Sequence, residues 1–299
     1  MKDHHGLARK LEEAIRAHVG NDFHLDSTSP ERAEGSGKIV LAGDGKRFFI
    51  KYGKSSALDR FSAEADGLVA LRDADCFRTP ATIDCSGDDE HAWIILEHLE
   101  LHPVRTLAEG RLAAEALANL HAHQSDAFGW HRDNYIGNTP QQNNHSGNWS
   151  RFFALQRLKP QFEFAARTEF GGELAKLGQK IIDRTPALFL DYRARPSLVH
   201  GDLWHGNIAI TNDGHVASFD PAIHFGDHEV DLAMTELFGG LPDTFYATYR
   251  ALWPLAEGHA ERKTLYNLYH ILNHLNLFGR GYLGQATRMA KQLSSMLSR

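Results

Sequence analysis

HGDLWHGN at positions 200–207, followed by FDP at positions 219–221, is the stretch that most restricts the fold. Its layout is HxDxxxxN...D, with Asp202, Asn207 and Asp220 as the polar members. Phosphoryl transfer requires a group that orients or deprotonates the acceptor hydroxyl and oxygen ligands that hold Mg²⁺ on the nucleotide phosphates. Asp202 suits the first task, whereas Asn207 and Asp220 can supply hard oxygen ligands. The pattern therefore predicts a phosphoryl-transfer site.

The segments around this motif support the prediction. SLVH, IAI and VASFD are short apolar runs typical of strands, and the last two are separated by the turn TNDGH. Asp, Asn and Gly are also common in ordinary turns, so either half of the motif alone would be weak evidence. The two halves together, with strands around them, favour a kinase over a set of unrelated turns.

A lysine and a glutamate upstream complete the pattern. KIVLA and RFFIKY, joined by the turn Gly43–Gly45, predict two strands in a hairpin, with Lys51 near the end of the second strand. A helix is predicted over 58–72, and Glu64 lies on its apolar face. A strand lysine held by a helix carboxylate contacts nucleotide phosphates in kinases. Taken singly, a strand lysine is usually solvated and a helix glutamate is usually exposed.

The usual glycine-rich loop over the phosphates is not intact. EGSGK at positions 34–38 stands where GxGxxG would be expected. The backbone N–H groups of Gly35 and Gly37 can contact phosphate, but many ordinary turns can do the same. Phosphate binding and a plain hairpin therefore stay open as alternatives for this segment.

The rest of the chain predicts an α+β, protein-kinase-like bilobal fold. Residues 1–96 are expected to form a small β-rich N-lobe, with an N-terminal helix, a sheet and the helix of Glu64. Residues 97–299 are expected to form a larger, mainly helical C-lobe that carries the catalytic and metal-binding loops, because amphipathic helical patterns replace strands after the run Trp93–Leu101. The polar stretch 138–148 is predicted to be a loop.

Composition narrows the class of partner. The 299 residues carry a formal net charge of −6, which argues against nucleic-acid binding and favours a small-molecule partner. The N-terminus has no signal-peptide pattern and no apolar run could span a bilayer, so we expect a cytoplasmic protein without membrane attachment. Cys76 and Cys85 are expected to be free thiols in a reducing compartment. The histidines are dispersed, which disfavours a structural zinc site.

At this point the sequence resembles the fructosamine (ketosamine-3-) kinases, which are grouped with the aminoglycoside phosphotransferases and choline kinases. The resemblance covers nearly the whole chain. The segments that carry it are FFIKY with RFSAEADGLVAL, FGWHRDNYIGNTPQ with WSRFFALQRLKPQ, LVHGDLWHGN, FDPAIHFGDHEVDLAMTELFGG, and LYHILNHLNLFG.

The resemblance implies transfer of the γ-phosphate of ATP to the 3-hydroxyl of a ketosamine, either a small molecule or a glycated protein lysine. In that family the 3-phosphate is unstable and its decomposition frees the amine, so the implied role is deglycation. By the same resemblance Lys51 and Glu64 position the phosphates, Asp202 is the base, and Asn207 and Asp220 bind Mg²⁺. Which ketosamine is preferred and the oligomeric state are left open.

A further set of residues is predicted to contact the acceptor, because it combines flat apolar rings with hydroxyl-binding groups, as polyol sites do. The members are Trp204, His205, Trp130, Arg132, Asp133 and Asn134. The alternative is that the tryptophans anchor the core and that the RDN run is a capped turn. Asp231 and Glu229 are expected to give buried structural support, with direct metal ligation as the alternative.

Two other functions compete with this one. The first is a kinase for another hydroxyl acceptor, such as an aminoglycoside, choline or homoserine. The second is a catalytically silent nucleotide-binding module on the same fold, which the complete set of catalytic residue types disfavours.

Overall fold

The computed structural model describes residues 4–20, 23–24, 26 and 36–298. Its α-helices are α1 (His4–Val19), α2 (Leu58–Asp73), α3 (Leu107–Ala122), α4 (Trp149–Phe153), α5 (Lys159–Ala166), α6 (Gly172–Arg184), α7 (Glu229–Leu237), α8 (Asp243–Leu252), α9 (His259–Phe278) and α10 (Leu283–Met296). Its strands are β1 (Gly37–Gly43), β2 (Lys46–Lys54), β3 (Thr82–Gly87), β4 (His91–Glu97), β5 (Leu101–Pro103), β6 (Asn134–Ile136), β7 (Thr139–Gln141), β8 (Ser197–Val199), β9 (Ile208–Thr211), β10 (Val216–Ser218) and β11 (His224–Gly226).

An antiparallel sheet in the order β1-β2-β4-β3 forms the centre of the strand-rich part. Successive side chains on a strand point to opposite faces. Phe48 and Ile50 accordingly pack in one core with Leu11 of α1, whereas the other face of the sheet packs on α2 through a second core that contains Phe61. The alternation along β2 places Lys51 on the α2 face. This is the reason why a lysine that follows the apolar run FFI in the strand meets a carboxylate of that helix.

Two larger cores hold the helical part together. One is built mainly on α9 and includes the buried Leu268 and Leu272, and the other joins α3 and α8 through Leu117 and Phe245. Short strands lie on this helical base: β10-β9-β5 form one small sheet, while β11 pairs with β8 and β6 pairs with β7. Segment 200–207, the predicted catalytic loop, therefore runs between β8 and β9, and Asp220 follows β10.

Most of the predicted elements are confirmed, including the first helix, the β1–β2 hairpin, the helix of Glu64 and the strands around the motif. The prediction of a loop over 138–148 was wrong in part, because β7 lies within it. Strands β3, β5, β6, β7 and β11 were not predicted, and all of them except β3 have only three residues, too few to show an alternating pattern. β4 ends at Glu97, and we propose that the two lobes divide there, next to the expected boundary after residue 96.

Three general features bear on the class of protein. Both cysteines are free. Within the described ranges, none of the helices has the length and apolar character that crossing a membrane requires. Across the same residues, there is no group of three or more His, Cys, Asp or Glu side chains arranged to hold a metal ion.

Candidate active site

Lys51 stands at the centre of a charged cluster between the sheet and the helical lobe. Its Nζ donates to Glu64 Oε1 at 2.6 Å and also to Asp220 Oδ1. Burial acts to lower the pKa of Lys51, but the two carboxylates outweigh it and raise that pKa above its ordinary value. The lysine is therefore a fixed positive charge on the cleft wall. The predicted pairing of Lys51 with Glu64 is present in the structure.

A second lysine faces the same cluster. Lys38 lies directly opposite Lys51 in the antiparallel β1–β2 ladder, so both side chains project from the same face of the sheet. Lys38 Nζ donates to Asp220 Oδ2 at 3.3 Å. These two ammonium groups lower the pKa of Asp220 against the opposing effect of burial. Asp220 is therefore an anion in the folded protein.

The catalytic-loop segment is tied down through its backbone. The N–H groups of His200 and Gly201 donate to the two carboxylate oxygens of Asp231 at 2.7 and 2.8 Å. Gly201 has φ +82°, and a Cβ there would lie 2.2 Å from the carbonyl oxygen of Ala222, so only glycine suits this turn. Asp231 and Glu229 are both fully buried, which confirms the expectation that they support the structure. The loop thus holds Asp202 in a defined place.

Asp202 has an environment suited to accepting a proton. In the part of the chain that the structure describes, no donor forms a hydrogen bond with the Asp202 carboxylate. The backbone of Asp202, by contrast, is hydrogen-bonded to the side chains of His200 and Asn207. Burial, followed by the nearby charges of Asp220 and Asp231, raises the pKa of Asp202 to about 7. A carboxylate with such a pKa is a competent base near neutral pH.

Asn207 and Asp220 provide oxygen atoms of the kind that Mg²⁺ prefers. Asn207 is buried, and its Nδ2 donates to the backbone oxygen of Asp202 at 2.9 Å, which leaves its Oδ1 as the free end of the amide. Asp220 has φ +57°, a sparsely populated conformation for a residue other than glycine. Such strain is often retained where a side chain must be aimed at a functional site. The donor set therefore fits a hard divalent cation.

A cleft of about 400 Å³ brings the charged groups of the site together, whereas Asn207 is not among its lining residues. Its lining includes Lys38, Lys51, Glu64, Asp202 and Asp220. A second cavity of about 260 Å³ adjoins it, shares Lys38 and Asp220 with it, and is otherwise mostly apolar. This second cavity lies beside the connector after β4 and is lined by Phe49, Pro80, Leu96, Glu97, His98, Leu99, Leu101 and Phe219. The pair of cavities offers an apolar slot for a planar base next to a charged chamber for phosphates.

The structure divides the residues that were predicted to contact the acceptor. Asn134 lines the 400 Å³ cleft, and its Nδ2 donates a hydrogen bond to the backbone oxygen of Ile223 at 2.7 Å. Arg132 and Trp130 instead bind carboxylates of α2, and Asp133 accepts a hydrogen bond from the backbone of Asn143. None of these three residues lines either cavity.

The structure does not place Trp204 and His205 in either cavity. The Trp204 ring packs against His205 and Phe238, with ring centroids 4.9 and 6.4 Å apart, and neither residue is among those that line the two cavities. Their contact with an acceptor therefore stays a prediction. Gly37 opens β1 opposite Tyr52, and Gly35 lies outside the described residues, so a phosphate-covering role for these glycines also stays a prediction.

Several residues of the cleft were missed by the sequence reasoning. They are Lys38, Arg60, Tyr135, Asn138, Leu277 and Phe278. Lys38 left a usable signal, because the turn Gly43–Gly45 fixes the hairpin register, which pairs position 38 with position 51. Arg60 lies four residues before Glu64 on α2, whereas Leu277 and Phe278 come from the end of α9, whose docking cannot be read from spacing.

A two-part fold with a lysine–glutamate pair, a loop aspartate and the aspartate after β10 in one cleft, and with a buried asparagine on the same loop, defines a kinase of the protein-kinase-like class. Comparison with known proteins narrows the class. The family model for fructosamine kinase matches residues 8–296. The chain therefore belongs to the fructosamine kinase family, as the resemblance of its motifs indicated, and kinases of this family use ATP.

Individual relatives agree with this assignment. A probable ketoamine kinase of Synechocystis sp. is 41% identical, over 94% of this chain and 95% of the relative. The chloroplastic protein-ribulosamine 3-kinase of Arabidopsis thaliana is 32% identical, over 97% of this chain and 90% of the relative. A crystal structure of a putative fructosamine-3-kinase from Haemophilus somnus superposes with a TM-score of 0.86 at 24% identity, covering 95% of this chain and 96% of that chain, and confirms the fold.

Proposed function

We propose that this protein phosphorylates the 3-hydroxyl of ketosamines with ATP as the donor. The observation that carries the proposal is the single cleft in which Asp202, Lys51, Glu64 and Asp220 meet, in a chain of the fructosamine kinase family. The names of the relatives, ketoamine kinase and protein-ribulosamine 3-kinase, support a ketosamine as the acceptor.

We assign the apolar 260 Å³ cavity to the nucleotide base and the charged cleft to the triphosphate. Phe49 and Leu96 line the apolar cavity, and the base would lie between apolar side chains of both lobes. Lys51 and Lys38 would then face the phosphates at the junction of the two cavities. Phosphate oxygens would replace Asp220 as their partner, because a polyanion binds two ammonium groups more strongly than one carboxylate does.

Asn207 and Asp220 are the residues that would hold Mg²⁺. Once Lys51 and Lys38 turn to the phosphates, both Asp220 oxygens become available as ligands, beside the free Oδ1 of Asn207. Bound Mg²⁺ would neutralise charge on the β- and γ-phosphates.

Asp202 would act as the base for the acceptor. Its carboxylate takes the proton of the 3-hydroxyl as the oxygen attacks the γ-phosphorus. The new O–P bond forms while the bond from the γ-phosphorus to the bridging oxygen breaks, and ADP leaves with that oxygen. Positioning supplies much of the rate in such a reaction, so the backbone anchoring of the loop by Asp231 is part of the machinery.

We further propose that the biological role of this activity is deglycation. Decomposition of a ketosamine 3-phosphate would free the amine, so the activity would serve deglycation of small molecules or of protein lysines. A cytoplasmic location belongs to the same proposal and is supported by the two free thiols.

The experiment that tests the acceptor class is a competition among chemically distinct acceptors. ATP consumption is measured with Mg²⁺ and a ketosamine, and in parallel with choline, an aminoglycoside and homoserine. We expect turnover with the ketosamine and background rates with the others. Turnover with one of the others, or ATP binding without turnover on any acceptor, would replace the proposal by one of its alternatives.

A further inference from the structure

Helix α2, which carries Glu64, is held by the helical lobe through a carboxylate at its N-terminal end. Arg132 donates from its Nη2 to Asp59 Oδ1 at 2.7 Å, and the Tyr135 hydroxyl donates to Asp59 Oδ2 at 2.8 Å. Arg132 Nη1 also donates to the hydroxyl of Ser62 at 3.2 Å. Both oxygens of Asp59 are thus bound from the other lobe.

A second carboxylate, two helical turns further along, is held in the same way. Trp130 Nε1 donates to Asp66 Oδ2 at 2.8 Å, and His131 Nε2 lies 3.1 Å from Asp66 Oδ1. Residues seven positions apart lie on one side of a helix, so Asp59 and Asp66 form a single row. The segment 130–135 runs along that row.

Glu64 points away from this row. At roughly 100° per residue, position 64 lies about 140° around the helix from Asp59, which directs Glu64 to Lys51 while the row of aspartates faces segment 130–135. One side of α2 therefore makes the catalytic ion pair and another side is bound by the C-lobe. A rotation or shift of α2 would break both sets of contacts.

Segment 130–135 is itself fixed to the catalytic half of the cleft. The Trp130 ring packs on Phe225 of β11, with centroids 5.5 Å apart, and Asn134 Nδ2 donates to the backbone oxygen of Ile223 at 2.7 Å. Gly67 of α2 also abuts the segment just before this strand, since a Cβ there would lie 2.9 Å from Pro221 Cγ. The chain that follows Asp220 is thereby linked to α2 through packed side chains.

We propose that Trp130, Arg132 and Tyr135 form an interlobe clamp that holds α2 in place, so that Glu64 meets Lys51 before nucleotide binds. In kinases the position of this helix controls whether the lysine–glutamate pair forms. In this protein the clamp holds α2 in one position. The free-energy cost of ordering the active site when ATP binds is therefore lower. These are positioning residues that act through Glu64, and the inference rests on the proposed roles of Lys51 and Glu64.

The clamp is tested with Arg132→Gln, Asp59→Asn and the double variant, with Arg151→Gln as a control at an exposed arginine on α4. Each single change is expected to weaken ATP binding by about 2- to 5-fold, as expected for a partly exposed ion pair. The double variant is expected to weaken ATP binding by less than the product of the two single effects, because both changes remove the Arg132–Asp59 pair. Amide hydrogen exchange in α2 should become faster in all three and stay unchanged in Arg151→Gln.

Steady-state kinetics distinguish a clamp role of Arg132 from direct contact with the acceptor. Loss of the clamp should raise the ATP KM and lower kcat, with the ketosamine KM within about twofold of wild type. A rise in the ketosamine KM alone would show that Arg132 contacts the acceptor, and a lower melting temperature with unchanged ATP binding would show a purely structural role. Either result overturns the clamp. ATP titration and hydrogen exchange need no acceptor, so they test the clamp even if ketosamines prove not to be substrates.

Discussion

Lys38 lies directly opposite Lys51 on the first hairpin, and their ammonium groups bind the two oxygens of the same carboxylate, that of Asp220. Two cations on one strand pair thus face one anion at the junction of the two cavities. The chain lacks an intact glycine-rich loop at this point, and Lys38 supplies a charge next to the position where such a loop would cover the phosphates. We interpret this pair as the phosphate-binding feature of the N-lobe.

Lys38→Met should raise the ATP KM on the order of tenfold, because a charge-assisted hydrogen bond of about 1.5 kcal/mol to the phosphates is lost. The ketosamine KM should change little. Steady-state kinetics with each substrate varied in turn provides the measurement. The matched control is Lys46→Met, at an exposed lysine that begins β2 beside the hairpin turn. Equal ATP KM values for the two variants would contradict a role for Lys38.

Asp220→Ala should abolish Mg²⁺-supported turnover, because it removes the anionic oxygen ligand from the proposed metal site. The change also leaves Lys51 without one of its two carboxylate partners. Activity is measured across a range of Mg²⁺ concentrations. Asp213→Ala, in the exposed turn between β9 and β10, is the control and should behave as wild type. Unchanged activity and Mg²⁺ dependence in Asp220→Ala would refute its role as a ligand.

The residues that were found from the sequence share one property: they lie in short motifs whose spacing is set locally. Asp202 and Asn207 share one loop, and Asp220 returns through a tight hairpin, so their meeting follows from local geometry. Lys51 and Glu64 meet because the strand alternation and the helix face both point to the same core.

The contacts of segment 130–135 could not be foreseen in this way. The RDN run predicts a capped turn or a polyol site, and only the packing of the two lobes brings Arg132 against Asp59. Phe278 is a similar case, since it reaches the cleft from the end of α9, far along the chain from the catalytic motif. Contacts between residues that are far apart in sequence depend on how whole helices and strands pack. The spacing of residues in a motif does not determine that packing.

Trp204 and His205 are expected to affect the acceptor more than the nucleotide, because they follow Asp202 on its loop and lie outside the apolar cavity assigned to the base. Ala at either position should raise the ketosamine KM more than the ATP KM. The contrary interpretation is that Trp204 anchors the loop against Phe238. Equal effects on both KM values, together with a lower melting temperature, would decide for anchoring.

The raised pKa of Asp202 predicts a pH dependence of stability in the metal-free, nucleotide-free protein. Its pKa rises from the ordinary 3.8 to about 7, so the folded state binds the proton more tightly than the unfolded state does. The contribution of this group to stability is present at low pH and is lost as the pH rises through about 7. Asp202→Asn, which stays neutral, should therefore exceed wild type in melting temperature at pH 8.

Thermal unfolding in EDTA at pH 5 and pH 8 measures this effect. The difference between Asp202→Asn and wild type should shrink at pH 5, where the wild-type carboxyl is already protonated in the folded state. A difference of the same size at both pH values would show that burial does not shift the titration of Asp202.

The central claim is tested most directly by identifying the product formed from a synthetic ketosamine, such as a ribulosamine or fructosamine adduct of lysine, with ATP and Mg²⁺. Phosphorus NMR with proton coupling locates the phosphate, and free lysine is quantified as the product decays. We predict phosphate on the 3-oxygen, release of the amine on decomposition, and a rate about 10²–10⁴-fold lower with Asp202→Asn, which should still bind ATP. Absence of a phosphorylated ketosamine, phosphate on a different hydroxyl, or near-normal turnover by Asp202→Asn would contradict the account.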